Sequence, residues 1–324
     1  MTRWLLTGLV IIIVTGGLVS HAQASAGQTQ FSRQVNDEDI TYSYAWLTPE
    51  GTNRNLSFSL SRSELAQAPA TQANYSARMA QRYVYVEVMK AARNIDPKQA
   101  RIAVEQKNEG IEIRVSSPSA QRNKDITRQL ADKQDAAFDT YLHDHYFTRY
   151  QTVYNESAIK PDHTRFIDEY IKALVPLSQA IYEQVTVRSD ARQYFSVMLG
   201  LVQTIPYDAL EDRAEHNGSG FLTPAQVLAQ NKGDCDSKSV LTAALARAFL
   251  PDIPMALILL PEHALLGVAL TPKDGEQTLQ YGDTDYVLFE PTGPAQLPFG
   301  EIAEQSRIAI ANRQFTVEEI KVSQ

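Results

Sequence analysis

A single cysteine, Cys235, stands in the run Asn231-Lys232-Gly233-Asp234-Cys235-Asp236-Ser237-Lys238. Behind it, Val240, Leu241, Ala244, Leu245, Ala248 and Phe249 make an apolar stripe of helical period. Asp234 is well placed to cap that helix, which puts Cys235 on its first turn. Only a thiolate attacks a carbonyl, and the free N–H groups and positive dipole end of a helix N-terminus stabilise one. Asp234 and Asp236 oppose this, because neighbouring negative charge raises a thiol pKa, so a protonated histidine is needed to hold an ion pair.

Three apolar runs follow: Ile253–Leu260, His263–Leu270 and Tyr286–Glu290. They read as strands separated by breaks at Pro261-Glu262 and Pro291-Thr292-Gly293. His263 opens one strand and Glu290 closes another, so antiparallel pairing can bring imidazole and carboxylate together over the helix N-terminus. Thiol nucleophile, base and base-orienting acid follow the logic of a catalytic triad.

The elements before this region are coarser. Ile40–Leu47 and Asn55–Ser61 alternate with period two around the turn-rich PEGTN, and read as a hairpin. Ser76 to about Ala92 is helical, with Met79, Tyr83, Tyr85, Val86, Val88 and Met89 as its apolar positions. Strands are expected at Arg101–Glu105 and Gly110–Ser116, which completes a small β-β-α-β-β unit over 25–120. A helical connection over 121–160 follows, with a polar helix from Asp125 to about Tyr150. The remaining domain spans 161–324, and within it Phe166, Tyr170, Ile171, Leu174, Leu177 and Ile181 form a helical stripe. The fold class expected is α+β. His143-Asp144-His145 invites a metal reading, but positions i and i+2 of a helix point apart, so it reads as a solvated face.

At 324 residues, 44% hydrophobic and 21% charged, with 15 Gly and 15 Pro, the composition is that of a globular chain. A net charge of -8 with no basic run argues against nucleic acid as partner. Arg3, the uncharged run Trp4–Val19 and then Ala22-Gln23-Ala24 read as a signal peptide over 1–24. The run is about 16 residues, short of the roughly 20 that a spanning helix needs, so membrane attachment is expected only if this segment stays uncleaved. A periplasmic or secreted location follows, and one cysteine cannot form an internal disulfide there. With no dinucleotide fingerprint, phosphate loop or metal cluster in the sequence, no cofactor is implied.

The segments VQTIPYD, GDCDSKSVLTAALARAF, EHALLGVAL and YVLFEPTG resemble the core of the transglutaminase-like cysteine superfamily, over about residues 165–300. In that family Gly-x-Cys opens a helix, His-Ala opens a strand, and an acid precedes Pro-Thr. Here His263 lies 28 positions after Cys235, and Glu290 lies 27 positions after His263. The bacterial exported branch, which includes periplasmic cysteine proteases, is the most similar kind. The resemblance implies a papain-like arrangement: Cys235 as nucleophile, His263 as base and then acid, Glu290 orienting the imidazole. The family's acid is commonly Asp, so Asp283 and Asp285 stand as substitutes for Glu290. The N–H of Cys235 is one oxyanion donor and the side chain of Gln203 a candidate second. Three activities are compatible: hydrolysis of a peptide or amide bond in a cell-envelope protein or peptide, acyl transfer to an amine with the same triad, or an inactive member serving as a binding module.

Overall fold

Two of the first three strands, Asp39–Leu47 and Asn53–Ser61, arise from alternation of apolar and polar residues. The computed structural model describes residues 27–107, 110–186, 190–211 and 220–322, and the signal-peptide reading of 1–24 falls outside these. β1 (Gln28–Val35), β2 (Asp39–Leu47) and β3 (Asn53–Ser61) form an antiparallel sheet in that order. One face carries Tyr42, Tyr44 and Trp46 of β2 with Leu56, Phe58 and Leu60 of β3, all buried. The other face is polar, with hydroxyls paired across the strands at Thr41–Ser59 and Ser43–Ser57. Burial of each such aromatic or aliphatic side chain contributes about 1.5–3 kcal/mol.

That buried face does not pack on the segment following it. After the short α1 (Arg62–Leu65) come α2 (Ala77–Arg93), β4 (Arg101–Lys107), β5 (Gly110–Ser116) and α3 (Ala120–Asp144). These four pair among themselves: β4 with β5 as a hairpin, α2 along α3. Their small cores join Val84, Val88 and Ala137 to Val104, Ile111 and Ile113, and Ile126 and Leu130 to Ala100. The expected β-β-α-β-β unit is therefore divided, because the aromatic face of β2 and β3 joins the core of the C-terminal half. Within α2 the buried positions are Ala80, Val84 and Val88, while Met79 and Val86 face outward. Spacing by four residues puts Ala80, Val84 and Val88 on the face packed against α3, with Tyr83 beside them.

The expected helical connection is also corrected. α3 begins at Ala120 and stops at Asp144; Tyr146 takes a left-handed φ of 59°, and the chain turns into the hairpin β6 (Phe147–Gln151) and β7 (Ser157–Pro161). Aromatic and β-branched residues favour strand over a further helical turn here.

The C-terminal half then follows the expected order. α4 (His163–Glu183) buries Phe166, Tyr170, Leu174, Leu177 and Ile181, the stripe visible in the sequence. α5 (Ala191–Thr204) and α6 (Pro224–Gln230) precede α7 (Cys235–Phe249). The curled antiparallel sheet is built from β8 (Met255–Leu259), β9 (Ala264–Val268), β10 (Thr278–Tyr281) and β11 (Thr284–Phe289), with β12 (Thr316–Ile320) arriving after α8 (Glu304–Ala311). Its order is β10-β11-β9-β8-β12, antiparallel throughout. α7 lies between α4 and this sheet and is buried on nearly every face. The chain is thus α+β. No helix among the described residues is long and apolar enough to cross a membrane.

Candidate active site

The first turn of α7 is held from several directions. Asn231 ends α6 in a left-handed conformation, φ 50°, and turns the chain into Lys232-Gly233-Asp234. Gly233 lies beside the segment after α5: its N–H donates to Pro206 O at 3.2 Å, and its carbonyl accepts from Asp208 N at 3.2 Å. The Lys232 ammonium lies 2.8 Å from the Asp208 carboxylate. From inside the helix, the fully buried Lys238 donates its Nζ hydrogen to Ile205 O. These contacts are why IPYD and GDC, far apart in sequence, lie side by side. Asp234 accepts from Ser237 N at 2.9 Å, the capping bond expected, and Cys235 is the first helical residue.

His263 comes from the turn between β8 and β9, where its carbonyl accepts from Leu260 N at 2.8 Å. Glu290 directly follows β11, and the β9–β11 register, Leu266 opposite Phe289, carries the two side chains to one end of the sheet. His263 Nε2 lies 3.4 Å from Glu290 Oε2. The other carboxylate oxygen accepts from Ala303 N, at the start of α8, at 3.0 Å. Burial works to raise the Glu290 pKa, but hydrogen bonds from His263, Ser306 and Ala303 outweigh it and hold the carboxyl below its usual range. With Nε2 committed to the acid, Nδ1 is the ring nitrogen left for proton exchange. Asp283 and Asp285 lie at or before the opposite end of β11, about 16 Å of strand or more from Glu290, and are exposed.

Cys235 and His263 both line a cleft of about 780 Å³. Asp236 and Tyr207 join them, and Tyr150 of β6 and Tyr75 line it from the N-terminal side. Cys235 is partly accessible, and its sulfur donates to Asp236 Oδ1 at 3.6 Å. Burial, then the charges of Asp236 and Asp234, raise the Cys235 thiol well above its ordinary pKa. Cys235 therefore rests as a thiol, and the helix N-terminus alone does not ionise it. Burial and the neighbouring Asp236 push Asp234 up to about 7. Burial brings Lys238 down to about 7, against the pull of Asp234.

Gln203 is placed differently from expectation. It is buried on α5, and its Nε2 donates to Glu290 O at 2.8 Å and to Leu297 O at 2.9 Å. Both amide hydrogens are spent on backbone carbonyls, which leaves none for an oxyanion. Gln203 instead ties α5 to the backbone that carries Glu290. Gly293 adjoins it closely enough that a Cβ there would collide with the Gln203 carbonyl oxygen. His143, Asp144 and His145 are at the end of α3, none of the three lines the cleft, and the His145 ring stacks on Tyr141. The sequence reading does not single out Lys160, His163 or Lys238. A lysine within the buried stripe of α7 is the one signal it offers, since lysine is almost never fully buried without a partner.

Comparisons with protein families, with curated proteins and with solved structures found no match for this chain.

Proposed function

We propose that the protein is an exported transglutaminase-like cysteine enzyme that cleaves a peptide or amide bond through an acyl-thioester on Cys235. One observation carries the reading: His263 and Cys235 line the same cleft, and the imidazole is backed at 3.4 Å by a buried, doubly anchored carboxylate. On this reading the fold is papain-like, with the nucleophile at the N-terminus of α7 and the base and acid on the antiparallel sheet. Residues 161–324 form the catalytic domain, and β1–β3 complete its core.

In the reaction His263 takes the thiol proton and the sulfur attacks the substrate carbonyl. The tetrahedral oxyanion meets the Cys235 N–H at the helix start. The imidazolium, stabilised by Glu290, returns the proton to the leaving amine. Water, deprotonated by His263, then attacks the thioester, releases the acid and restores the thiol. An amine in place of water gives acyl transfer with the same residues. Substrates are envelope proteins or peptides.

The test is the rate of iodoacetamide alkylation of the folded protein from about pH 4 to 9, wild type against His263→Ala. The proposal expects alkylation that is faster in wild type than in the variant across this range, because His263 takes the thiol proton as the sulfur attacks. A rate that is unchanged by His263→Ala overturns it. A peptide mixture analysed by mass spectrometry, with Cys235→Ala as control, then reads the cleavage itself. The same alkylation profile tests the reading as an inactive binding module, which the hydrogen bond from Cys235 to Asp236 favours: there the thiol reacts only on unfolding.

A further inference from the structure

A second histidine approaches the first turn of α7 from α4. His163 is 1% exposed, with its ring against Phe221 at 5.2 Å between centroids. Its Nδ1 lies 3.3 Å from Lys160 Nζ, and that ammonium bonds Glu318 Oε2 at 2.8 Å. Lysine only donates, so Nδ1 accepts and the proton of the neutral ring is confined to Nε2. Burial, with the charge of Lys160, keeps the ring neutral by lowering its pKa well below the ordinary value.

The Nε2–H that results is buried and has no hydrogen-bond partner among the described residues. It lies 3.7 Å from Asp236 Oδ2, while Asp236 Oδ1 accepts the Cys235 thiol. One carboxylate thus connects a buried, unsatisfied donor to the sulfur. Cys235 has a histidine and a carboxylate on two sides: His263 with Glu290, and His163 with Asp236.

We infer that Asp236 and His163 form a latch on the resting nucleophile: Asp236 accepts the Cys235 thiol proton and holds the sulfur off His263, and His163 keeps that carboxylate aimed. The inference rests on Cys235 being the nucleophile. A substrate carbonyl arriving over Cys235 displaces the S–H from Asp236, whose carboxylate turns to the waiting Nε2–H of His163. The thiol proton passes to His263, and Asp236 stays ionised throughout. The device guards a lone thiol in an oxidising compartment, since the protonated sulfur resists oxidation until substrate is present.

Other groups also act on the sulfur, Asp234 from the cap of α7 and Tyr207 from the segment after α5, while His263 acts on Asp236 from the β8–β9 turn. Lys160 of β7 and Glu318 of β12 act through Asp236, and Tyr150 of β6 adjoins that pair. The experiment therefore changes the latch alone. Alkylation of Cys235 by iodoacetamide is followed against pH in wild type, D236N, H163L and H163Q, each with His263 intact and as His263→Ala. D236N is expected to lower the alkylation midpoint by about one pH unit, roughly a tenfold faster reaction at neutral pH, in both backgrounds. H163L moves the profile the same way. H163Q, whose amide nitrogen occupies the place of Nε2, returns it to wild type. A D236N profile that matches wild type overturns the latch, as does H163Q behaving like H163L. Asp236 is partly exposed, so D236N stays decisive even where a substitution at buried His163 unfolds the protein. Failure of the base reading is separate: it shows as no difference between wild type and His263→Ala, whatever D236N does.

Discussion

The side chain of Gln203 donates to the backbone carbonyl of Glu290 at 2.8 Å, so the C-terminal end of α5 supports the backbone whose carboxylate lies 3.4 Å from the His263 ring. This one contact couples the helix before the active-site loop to the strand end beyond it. It also gives the glutamine a positional role in place of an oxyanion role.

Gln203→Ala leaves two carbonyls, the buried one of Glu290 and the partly buried one of Leu297, without their donor. Each unsatisfied acceptor costs about 1–3 kcal/mol, so urea unfolding is expected to show a loss of roughly 2–6 kcal/mol. An oxyanion donor would instead lower kcat with stability untouched, and measuring both on the same variant separates the roles.

Gly293→Ala tests the same junction from the opposite side. The new methyl collides with the carbonyl of Gln203, a backbone atom that cannot swing aside. A destabilisation of about 1–3 kcal/mol is expected, accompanied by slower His263-dependent alkylation, because the strain is relieved by moving the Glu290 backbone. Unchanged unfolding and alkylation would show that the junction yields freely.

Glu290→Gln keeps the shape of the acid but removes the charge that stabilises imidazolium. On the proposed reading, peptide cleavage is expected to fall roughly a hundredfold or more. The folded pKa of Glu290 is depressed, so its contribution to stability is present above the unfolded value of about 4.3 and is lost as pH falls through the folded value. Acid unfolding should accordingly be steeper in wild type than in Glu290→Gln, as followed by circular dichroism.

Asp234 and Lys238 give the stability profile a shape near neutrality. Asp234 is raised to about 7, so the folded state holds its proton longer than the unfolded chain does, and this group withdraws stability as pH rises from about 4 to 7. Lys238 is lowered to about 7, so the folded state releases its proton first, and stability returns as pH rises from about 7 to 10. Urea midpoints across pH should show the first slope flattened in Asp234→Asn and the second in Lys238→Met. Parallel curves for wild type and variants would place these titrations elsewhere.

Local chemistry is enough to foresee the elements that carry the candidate site. Asp234 caps α7, the period-3.6 stripe of α4 is buried, and the apolar runs around His263 and Glu290 are strands. Each of these depends on a period or a cap within a few residues, which a sequence displays directly. β1 and β12 are not foreseeable in that way, because QTQFSRQV and TVEEI carry too few apolar residues to mark a strand, and their pairing with β2 and β8 is what defines them.

What the sequence determined by itself was the pairing of residue types with element ends: a cysteine on a first helical turn, a histidine opening a strand, a glutamate closing one. Tertiary structure alone decided their partners. The β9–β11 register carried Glu290 to His263, the aromatic face of β2 and β3 chose the C-terminal core over its neighbours in sequence, and α4 delivered His163 behind Asp236. Such contacts join residues tens to hundreds of positions apart. They are selected by the summed burial of whole faces, which no local pattern records.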